Sequence, residues 1–413
     1  MKRKGIFICI LLCAVAAAAA WGLHQTYGTQ QENTNQTTAP QQQENMSEEM
    51  RAVWIYYNEL SMRDVNGGTK EQFTEKAEEM TENIHDAGLN TVILQVRPFC
   101  DAFYPSEIFP WSAYLTGTQG QGVDYDPLEI FLACAKEKGL SVQAWFNPYR
   151  VLLSTDWDKL ADTNPAKQWY RAGKTENLLL TDSGIYLNPA SKEAQALILD
   201  GVRELLTKYD LDAVHIDDYF YPTTDENVDS EQYAAYTSAG GKLSLSDWRR
   251  ENVNTFMSGL YAAVKATDPS VQVVVSPGGD IVRNYETLYA DVARWAREPG
   301  FLDVLMPQLY YGFENESLPF SVTAEEWANL ELADDVQLCF GLAAYKCGKE
   351  DTYAGTGKAE WQQSTDILSR QLGFCRQLSH YNGFAIYSYS SVFSEDSVEN
   401  AKKEWQNLKN MLQ

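Results

Sequence analysis

Eight short apolar runs recur between residue 51 and the C-terminus, and each leads into a stretch with the apolar spacing of a helix. Most of the runs end in a cluster of Asp, Asn, Arg, Gln or Tyr. Strands that alternate with helices predict a parallel sheet, and eight such strands predict closure into a (β/α)8 TIM barrel, an α/β fold. The runs are RAVWIYY (51–57), NTVILQV (90–96), LSVQAWF (140–146), DAVHID (212–217), VQVVVS (271–276), DVLMPQLY (303–310), VQLCFGL (336–342) and GFAIYSY (383–389).

Alternate side chains of a barrel strand face the lumen, and the others pack against the helices. The outer face must be apolar, so the positions that carry polar groups are predicted to face inward. In the second run this rule places Gln95 and Arg97 in the lumen. In the third run it places Gln143, Trp145 and Asn147 there.

Two consecutive aspartates, Asp217 and Asp218, end the fourth run. The same rule predicts Asp217 at the top of the lumen, His215 one layer beneath it, and Asp218 near the rim. A carboxylate at the C-terminal end of a barrel strand is typical of a catalytic group, although a helix N-cap or an ion-pair partner is the structural alternative. His215 is either a hydrogen-bonded lumen residue or a group that orients Asp217 and tunes its pKa.

Other strand ends contribute amides, guanidinium groups and aromatic rings. This combination favours a carbohydrate ligand, because sugar rings stack on aromatic faces while their hydroxyls exchange hydrogen bonds. Three long segments (148–190, 219–246 and 343–360) follow strands on the same face and are predicted to wall a groove. The predicted substrate-binding residues are Asn58, Arg97, Trp111, Trp145, Asn147, Tyr149, Arg150, His215, Tyr219, Gln308, Tyr310 and Tyr387.

Composition excludes several other classes of function. The formal net charge of -24 opposes binding to nucleic acid. Only four His are present, in neither of the common zinc-binding spacings, and no phosphate-binding or dinucleotide-binding glycine motif occurs. We therefore expect no metal and no cofactor.

The N-terminus is typical of an exported protein. Lys2, Arg3 and Lys4 precede an apolar stretch, so residues 1–23 are predicted to form a signal peptide or a retained membrane anchor. Residues 24–49 are rich in Gln, Asn and Thr and are predicted to be a disordered linker. Residues 50–413 then form the barrel, and an extracellular or cell-surface location is expected.

Five cysteines follow the N-terminal segment, namely Cys100, Cys134, Cys339, Cys347 and Cys375. An odd number leaves at least one thiol free or paired between chains, so a disulfide-stapled scaffold is excluded. Cys134 and Cys375 lie in apolar helical patterns and are predicted core residues.

Several long motifs together resemble the glycosyl hydrolase-like 10 family of exported bacterial barrel proteins. They match the family in order and cover essentially all of residues 51–390, which makes the resemblance specific. The motifs are RAVWI near residue 51, QVRPFCDAFYPS (95–106), PWSAYLTGTQG (110–120), DYDPLE (124–129), GLSVQAWFNPYR (139–150), YLNPASKE (186–193), DLDAVHIDDYFYP (210–222), SPGGDIVRN (276–284) and LMPQLYYG (305–312).

The resemblance implies a glycoside hydrolase that acts on an envelope or other extracellular glycan, with peptidoglycan or another wall polymer as the natural expectation. It supplies Asp217 and Asp218 from HIDDY and Asp101 from RPFCDA. The chain departs from the family at Cys100, where Gly is usual, and near Gly279, where a larger apolar residue is usual. The region 284–289 also looks shortened.

Glycoside hydrolysis requires one ionised and one protonated carboxyl group. Asp217 is the predicted nucleophile or base, with Arg97 close enough to keep it ionised. Asp101 is the favoured acid, and Asp218, Asp280 and Glu314 are the alternatives.

Two other functions remain open from the sequence. One is a non-catalytic glycan-binding barrel, which would keep the groove without a competent acid. The other is a metal-dependent polysaccharide-modifying hydrolase with Asp217, Asp218 and His215 as ligands, for which a second His near a strand end is missing.

Overall fold

The computed structural model describes residues 49–394 and 397–412. The predicted export signal (1–23) and all but the last residue of the predicted linker (24–49) lie outside the described residues. Within the described residues, no helix is both long enough and apolar enough to cross a membrane.

Eight strands close into one parallel barrel in the order β1-β11-β10-β9-β8-β7-β3-β2. The described residues contain eleven strands in all: β1 (Met50–Ile55), β2 (Thr91–Arg97), β3 (Ser141–Phe146), β4 (Arg150–Leu152), β5 (Leu178–Thr181), β6 (Gly184–Leu187), β7 (Ala213–Ile216), β8 (Gln272–Val275), β9 (Val304–Leu305), β10 (Gln337–Leu342) and β11 (Tyr381–Ile386). Each of the eight predicted runs supplies one barrel strand, so the predicted TIM barrel is confirmed. Strands β4, β6 and β5 form a separate antiparallel sheet in the long segment after β3.

Helices surround the barrel and extend over its C-terminal face. They are α1 (Lys70–Asp86), α2 (Ala113–Thr116), α3 (Pro127–Glu137), α4 (Pro165–Arg171), α5 (Lys192–Lys208), α6 (Ser230–Ser238), α7 (Leu245–Thr267), α8 (Ile281–Glu286), α9 (Val292–Arg297), α10 (Phe320–Ala328), α11 (Glu360–Gln363), α12 (Ile367–Cys375), α13 (Tyr389–Phe393) and α14 (Glu399–Lys409).

Local sequence fixes where the main helices begin. Thr69 and Gln72 form a reciprocal capping box at the start of α1. The Asp126 side chain caps α3 ahead of a proline at the first helical position. Ser191 and Ser244 cap α5 and α7 in the same way. These caps set where each strand-to-helix loop ends, and those loops carry the polar strand ends.

The core has two layers, one on each side of the barrel wall. Outward side chains of the strands, such as Val214 and Ile216, pack against the helices. Inward side chains, including Trp54, Ile93 and Trp145, fill the lumen. The predicted alternation therefore holds in the second, third and fourth barrel strands up to Gln95, Asn147 and Asp217, and the lumen is packed rather than open.

Arg97 is an exception, and its predicted lumen position is wrong. The register between β2 and β3 shifts after Gln95, so that Gln95 pairs with Trp145 but Arg97 pairs with the outward-facing Phe146. The Arg97 guanidinium lies over the rings of Phe109 and Phe146, at 4.2 Å and 4.7 Å from their centroids. One extra residue in the strand thus moves the arginine from the lumen to the helix layer.

All five cysteines of the described chain are buried and unpaired. Cys134 and Cys375 lie in the core between strands and helices, as predicted. Cys100 adopts a left-handed backbone conformation with a φ of 51°. Glycine adopts this conformation without strain, which gives a physical reason for the family's usual Gly at this position.

Candidate active site

Asp217 lies at the top of the lumen, directly after β7, and is 3% exposed. Its Oδ2 accepts hydrogen bonds from Trp145 Nε1 at 3.1 Å and from Asn147 Nδ2. Its Oδ1 accepts a longer bond of 3.5 Å from the Tyr219 amide. Two donors at the end of the neighbouring strand β3 and one amide just beyond Asp217 therefore fix the orientation of this carboxylate.

Arg150, the first residue of β4, supplies positive charge next to Asp217. Its Nη2 donates to Asn147 Oδ1 at 3.0 Å, and its Nε donates to the Pro98 carbonyl at 3.3 Å. The guanidinium lies 4.5 Å from the centroid of Phe99 and 4.7 Å from that of Tyr219. Burial raises the pKa of Asp217, and the positive charge of Arg150 opposes that rise, which is the role that the sequence analysis gave to Arg97.

Gln95 completes this network from β2. Its Nε2 donates to Asn147 Oδ1 at 2.7 Å, and its Oε1 accepts from the Tyr57 amide at 3.0 Å. Asn147 is thereby held so that its own amide group points at Asp217. The alternation of polar and apolar positions predicted that Gln95 faces the lumen. Nothing in the sequence indicated its hydrogen bonds to Asn147 and Tyr57.

Asp218 turns away from Asp217 toward β8 and β9 and is partly exposed. Its Oδ1 accepts from Gln308 Nε2 at 3.4 Å, and the same nitrogen donates to the Ser276 carbonyl at 2.8 Å. The positive charge of Arg283 also acts on it. Asp218 therefore has fewer and longer hydrogen bonds than Asp217.

The two aspartates influence each other's protonation. Burial, followed by the charge of Asp218, raises the pKa of Asp217 to about 7, while Arg150 opposes the shift. Burial also raises the pKa of Asp218. Two adjacent carboxyl groups that interact in this way lose their protons in two steps that belong to the pair rather than to either residue.

His215 is a hydrogen-bonded lumen residue rather than a partner of Asp217. One ring nitrogen bonds to Gln143 Oε1 and the other to Ser276 Oγ, each at 2.8 Å. Burial lowers the pKa of His215 to about 3, so the ring is neutral. Trp54 packs edge-on against it.

An aromatic wall faces the aspartates from the other side of the lumen. Tyr387, just after β11, lies 6.0 Å from Trp54 and 5.8 Å from Tyr310, measured between ring centroids. Tyr56 and Tyr345 complete this wall. The negative charge of Asp217 helps to raise the pKa of both Tyr310 and Tyr387, which places their hydroxyls within electrostatic reach of the pair.

Asp101, the favoured acid, is buried in its own loop and is 1% exposed. It accepts a 3.1 Å bond from the Phe99 amide and further bonds from the side chains of Ser112 and Gln119. Burial raises its pKa to about 6, and these donors together with Arg150 oppose the shift. A carboxyl group held by three donors within one loop braces that loop.

A cavity of about 590 Å³ opens next to Asp101 on the C-terminal face. It is lined by Arg63, Phe99, Asp101, Ala113, Tyr114, Gly117, Thr118, Gln119, Val151, Leu152, Leu153, Ser154, Asp158 and Lys159. Residues 151–154, 158 and 159 of the long segment after β3 line this cavity, whereas Asp217 and Asp218 are not among its lining residues.

Tyr219, Asn58 and Trp111 are three further predicted binding residues. Tyr219 is 49% exposed, at the rim beside Arg150. Asn58 is exposed and bonds to Tyr56. Trp111 packs within its own loop, so closely that a Cβ on Gly122 would lie 2.5 Å from its Nε1.

The predicted groove position of Tyr149 is wrong. Tyr149 is fully buried and packs on Phe256 of α7, with 5.2 Å between ring centroids. It is one of the two residues between Asn147 and Arg150, and its ring packs in the helix layer whereas Asn147 and Arg150 belong to the network around Asp217.

The other candidate acids have structural positions. The Asp280 side chain caps α8 by accepting from the Arg283 amide at 3.0 Å. Glu314 is exposed on the loop after β9. Within residues 49–394 and 397–412, no group of three or more His, Cys, Asp or Glu side chains could hold a metal ion.

Glu59 is a buried acidic residue that the sequence reasoning missed. Its Oε2 accepts from the Tyr56 amide at 3.0 Å, and its Oε1 accepts from Ser388 Oγ at 2.8 Å and the Ser390 amide at 2.6 Å. It ties the loop after β1 to the end of β11. Nothing in the local sequence distinguishes it from a surface glutamate.

The family model described as glycosyl hydrolase-like 10 matches residues 49–356 of the chain. The chain belongs to this family. It is 33% identical over 361 residues to the glycosyl hydrolase YngK of Bacillus subtilis, covering 81% of this chain and 68% of that protein. It is 31% identical over 334 residues to the glycosyl hydrolase DigH of Escherichia coli K12, covering 73% and 75% of the two chains.

Solved structures of glycoside hydrolases share the fold. The glycoside hydrolase domain of PgaB (BpsB) from Bordetella bronchiseptica superposes with a TM-score of 0.59 at 15% identity, over 87% of this chain and 99% of that one. An α-amylase from Geobacillus thermoleovorans superposes with a TM-score of 0.53 at 9% identity, over 88% and 78% of the chains. At these identities the likeness concerns the barrel alone.

Proposed function

We propose that the protein is an exported glycoside hydrolase that cleaves a cell-envelope or extracellular glycan at the Asp217–Asp218 pair. The observation that carries the proposal is this pair of adjacent carboxyl groups at the C-terminal face of the barrel, whose pKa values are both raised by burial. Glycoside hydrolysis needs one ionised and one protonated carboxyl group near neutral pH. Membership of a glycosyl hydrolase-like family supports the same reaction class.

The hydrogen bonds assign different roles to the two aspartates. Asp217 accepts from Trp145, Asn147 and Tyr219 and lies near Arg150, and these contacts stabilise its ionised form against the burial that raises its pKa to about 7. Asp218 accepts one long side-chain bond, from Gln308, and is partly exposed, so we assign it the part of the acid that reaches a leaving-group oxygen. Asp218 replaces Asp101 as the proposed acid because Asp101 is held within its loop.

A glycan is the ligand class that the surroundings of the pair fit best. The partly exposed rings of Tyr310 and Tyr387 offer ring faces, and Arg150 and Gln308 offer donors. A sugar presents apolar ring faces and hydroxyls to such a site. Peptidoglycan or another wall polymer is the proposed substrate source, in keeping with the export signal in the sequence.

The test uses the full chain with a panel of bacterial wall glycans and soluble oligosaccharides. Release of reducing ends and product mass are measured for wild type, Asp217→Asn and the control Asp280→Asn, which keeps a side chain able to cap α8. We expect release by wild type and by the control, and a loss of at least about 10²-fold in Asp217→Asn. Normal release by Asp217→Asn would contradict the assignment.

Two further outcomes decide between the other functions. Binding of a glycan by wild type without release from any member of the panel would favour a glycan-binding barrel. Loss of release in excess chelator, restored by a divalent metal, would favour a metal-dependent hydrolase.

A further inference from the structure

A glycine faces the lumen just after β8, beside the aspartate pair. Val274 fills the lumen, and Ser276 bonds to His215 there. Alternation along the chain gives Gly278 the next inward position. A backbone bridge to Gln308 carries the ladder up to this residue. Gly278 therefore lies one lumen layer above Ser276, at the C-terminal face of the barrel.

The backbone does not require glycine here, because Gly278 is not among the residues with a positive φ. The neighbouring Gly279 is explained by packing, since a Cβ there would lie 2.5 Å from the Gln308 carbonyl oxygen and 2.7 Å from Tyr311 Cε2. A Cβ on Gly278 would meet no atom closer than 3.3 Å. A methyl group would fit there after a small shift, so this glycine leaves space.

Three polar side chains converge on the space beside Gly278. The three atoms nearest to the Cβ position are Asn284 Oδ1 at 3.3 Å, Arg283 Nη1 at 3.6 Å and Asp218 Oδ2 at 3.6 Å. Asp218 Oδ1 is turned to Gln308, so the two oxygens of this carboxyl group face different partners. The space therefore lies at the second oxygen of the proposed acid.

Asn284 is fully buried, and its orientation is fixed. Its Nδ2 donates to the Gly278 carbonyl at 2.6 Å, an acceptor that only the nitrogen of the amide can face. Its Oδ1 is thereby directed at the space, and this atom has no hydrogen-bond partner among the described residues. A buried amide oxygen without a donor costs stability, so it points to a ligand that supplies a hydrogen.

Arg283 brings a positive charge to the same space without being paired. Its guanidinium makes no hydrogen bond or ion pair within the described part of the chain. Its charge nevertheless acts on Asp218 and on Tyr311, whose ring covers Gly279. On a chain with a formal net charge of -24, an arginine left unpaired beside a carboxyl group is available to a ligand.

These donors and acceptors are complementary to a neutral oxygen that carries hydrogen. Such an oxygen accepts from Arg283, donates to Asn284 and can exchange a proton with Asp218. An anion would face two oxygens there, and a cation would face the guanidinium. We propose that the space beside Gly278 binds the oxygen with which Asp218 exchanges its proton. Arg283 and Asn284 are then further catalytic residues, because both contact this oxygen; the proposal rests on the proposed function and deepens it.

The same position serves both halves of hydrolysis. When the glycosidic C1–O bond breaks, its electron pair stays on the oxygen, and the proton of Asp218 joins it to give a hydroxyl group. The Asp217 carboxylate balances the positive charge left at C1. The alcohol departs, and a water molecule takes its place and donates to Asn284 and Asp218. The water oxygen then bonds to C1, and one of its protons returns to Asp218, so that one water has cleaved one bond.

Gly278→Ala tests the position directly, because its methyl group would occupy the space. The full chain is assayed on the most rapidly cleaved glycan of the panel, with Gly373→Ala as the matched control, whose Cβ would lie 3.7 Å from Met411 Cε. We expect kcat to fall by at least about 10-fold in Gly278→Ala and to stay unchanged in the control. Thermal midpoints within about 3 °C of wild type would show that both variants fold.

Arg283→Gln tests the guanidinium without a change in packing, because this side chain is exposed. Each variant is measured at its own pH optimum, so that the loss of positive charge near Asp218 is not mistaken for a lost contact. We expect kcat to fall by at least about 10-fold with KM little changed, and Arg283→Lys to recover part of the loss. Arg203→Gln, on the exposed side of α5, is the control and should keep the wild-type rate.

An aryl glycoside whose leaving group needs no proton identifies the bound oxygen. We expect Gly278→Ala and Arg283→Gln to release the aryl group in the first turnover at close to the wild-type rate, and then to turn over slowly because water needs the same position. Equal losses in the first turnover would overturn the proposal. A raised KM with unchanged kcat would place a sugar hydroxyl in the space and would overturn it too.

The fate of the proposed function is read separately from these variants. Wild-type kcat in both Gly278→Ala and Arg283→Gln would overturn the proposal and leave the proposed hydrolase standing. Absence of cleavage by wild type across the whole panel would instead reject the proposed function, and this proposal with it.

Discussion

At the scale of single residues, Asp217 is the position where function and stability conflict. Its carboxylate is buried beside a second one, and its folded-state pKa of about 7 lies above the ordinary value of 3.8. A group whose pKa is raised on folding contributes stability that is fully present below the unfolded value and lost as the pH rises through the folded value. The ionised site is therefore a strained part of the fold.

We predict that Asp217→Asn raises the free energy of unfolding, by an amount that grows as the pH rises from about 4 to above 7. The gain should be on the order of 2–4 kcal/mol at pH 8, because the amide removes a buried charge. Thermal unfolding of wild type and variant at pH 5 and pH 8 measures it. An equal effect at both pH values would contradict the raised pKa.

Cys100 has a backbone φ of 51° at a position where the family usually has Gly. This conformation allows a second prediction. In Cys100→Gly the relief of backbone strain offsets the greater chain entropy of the unfolded state, so we expect a change in unfolding free energy within about 1 kcal/mol. Cys134→Gly, a buried cysteine within α3, is the matched control and should destabilise by more than about 1 kcal/mol. Urea unfolding compares the two; a larger loss in Cys100→Gly would contradict the argument.

Alternation along the strands was sufficient to predict the lumen positions of Trp145, Asn147 and Asp217. It failed at Arg97 because a one-residue register shift reverses the side chains beyond it, and a sequence does not mark such a shift. Arg150 was identified as a site residue, but its role near Asp217 depends on how β4 folds back over the barrel.

At the scale of elements, the fit of α5 against the barrel depends on Gly201. A Cβ at this position would lie 2.3 Å from Arg97 Nη1 and 2.4 Å from Phe109 Cε2. The outward-facing arginine therefore occupies the space that a helix side chain would need.

We predict that Gly201→Ala destabilises the protein by about 1–3 kcal/mol through overpacking, although alanine favours a helix. The control is Gly259→Ala in α7, where the nearest atom to the new Cβ would be Leu199 Cδ1 at 3.5 Å. This control should be stabilised by about 0.5–1 kcal/mol. Denaturant midpoints test both, and two shifts of the same sign would contradict the packing argument.

The eight barrel strands could be predicted because each is a continuous buried run. The three-stranded sheet β4-β6-β5 could not, since its strands are three or four residues long and lie within a mostly polar segment. Strand β9 is only Val304–Leu305, shorter than its apolar run. Pro307 lacks an amide hydrogen, which limits the ladder there.

At the scale of the whole molecule, barrel closure is what assembles the site. Asp217 from β7, Trp145 from β3, Gln95 from β2 and Tyr387 from β11 are distant in sequence and meet at one end of the lumen. The pair-wise contacts among them follow from closure and side-chain geometry, which is why the sequence predicted the face of the barrel and the central aspartates but not the network.

The coupled aspartates predict the pH dependence of the assembled enzyme. We expect a bell-shaped profile of kcat/KM whose two limbs belong to the Asp217–Asp218 pair and lie above the range of solvated aspartates, because burial raises the pKa of both groups. Asp218→Asn should lower the rate and remove the basic limb. A basic limb that persists in this variant would assign it to another group.

The central claim is that the Asp217–Asp218 pair performs chemistry on a bound glycan. The most direct measurement determines the affinity of Asp217→Asn for the cleaved glycan by calorimetry, alongside its rate of reducing-end release. We predict an affinity similar to that of wild type and a rate lower by at least about 10²-fold. Continued release at the wild-type rate, or a loss of affinity that accounts for the whole loss of rate, would contradict it.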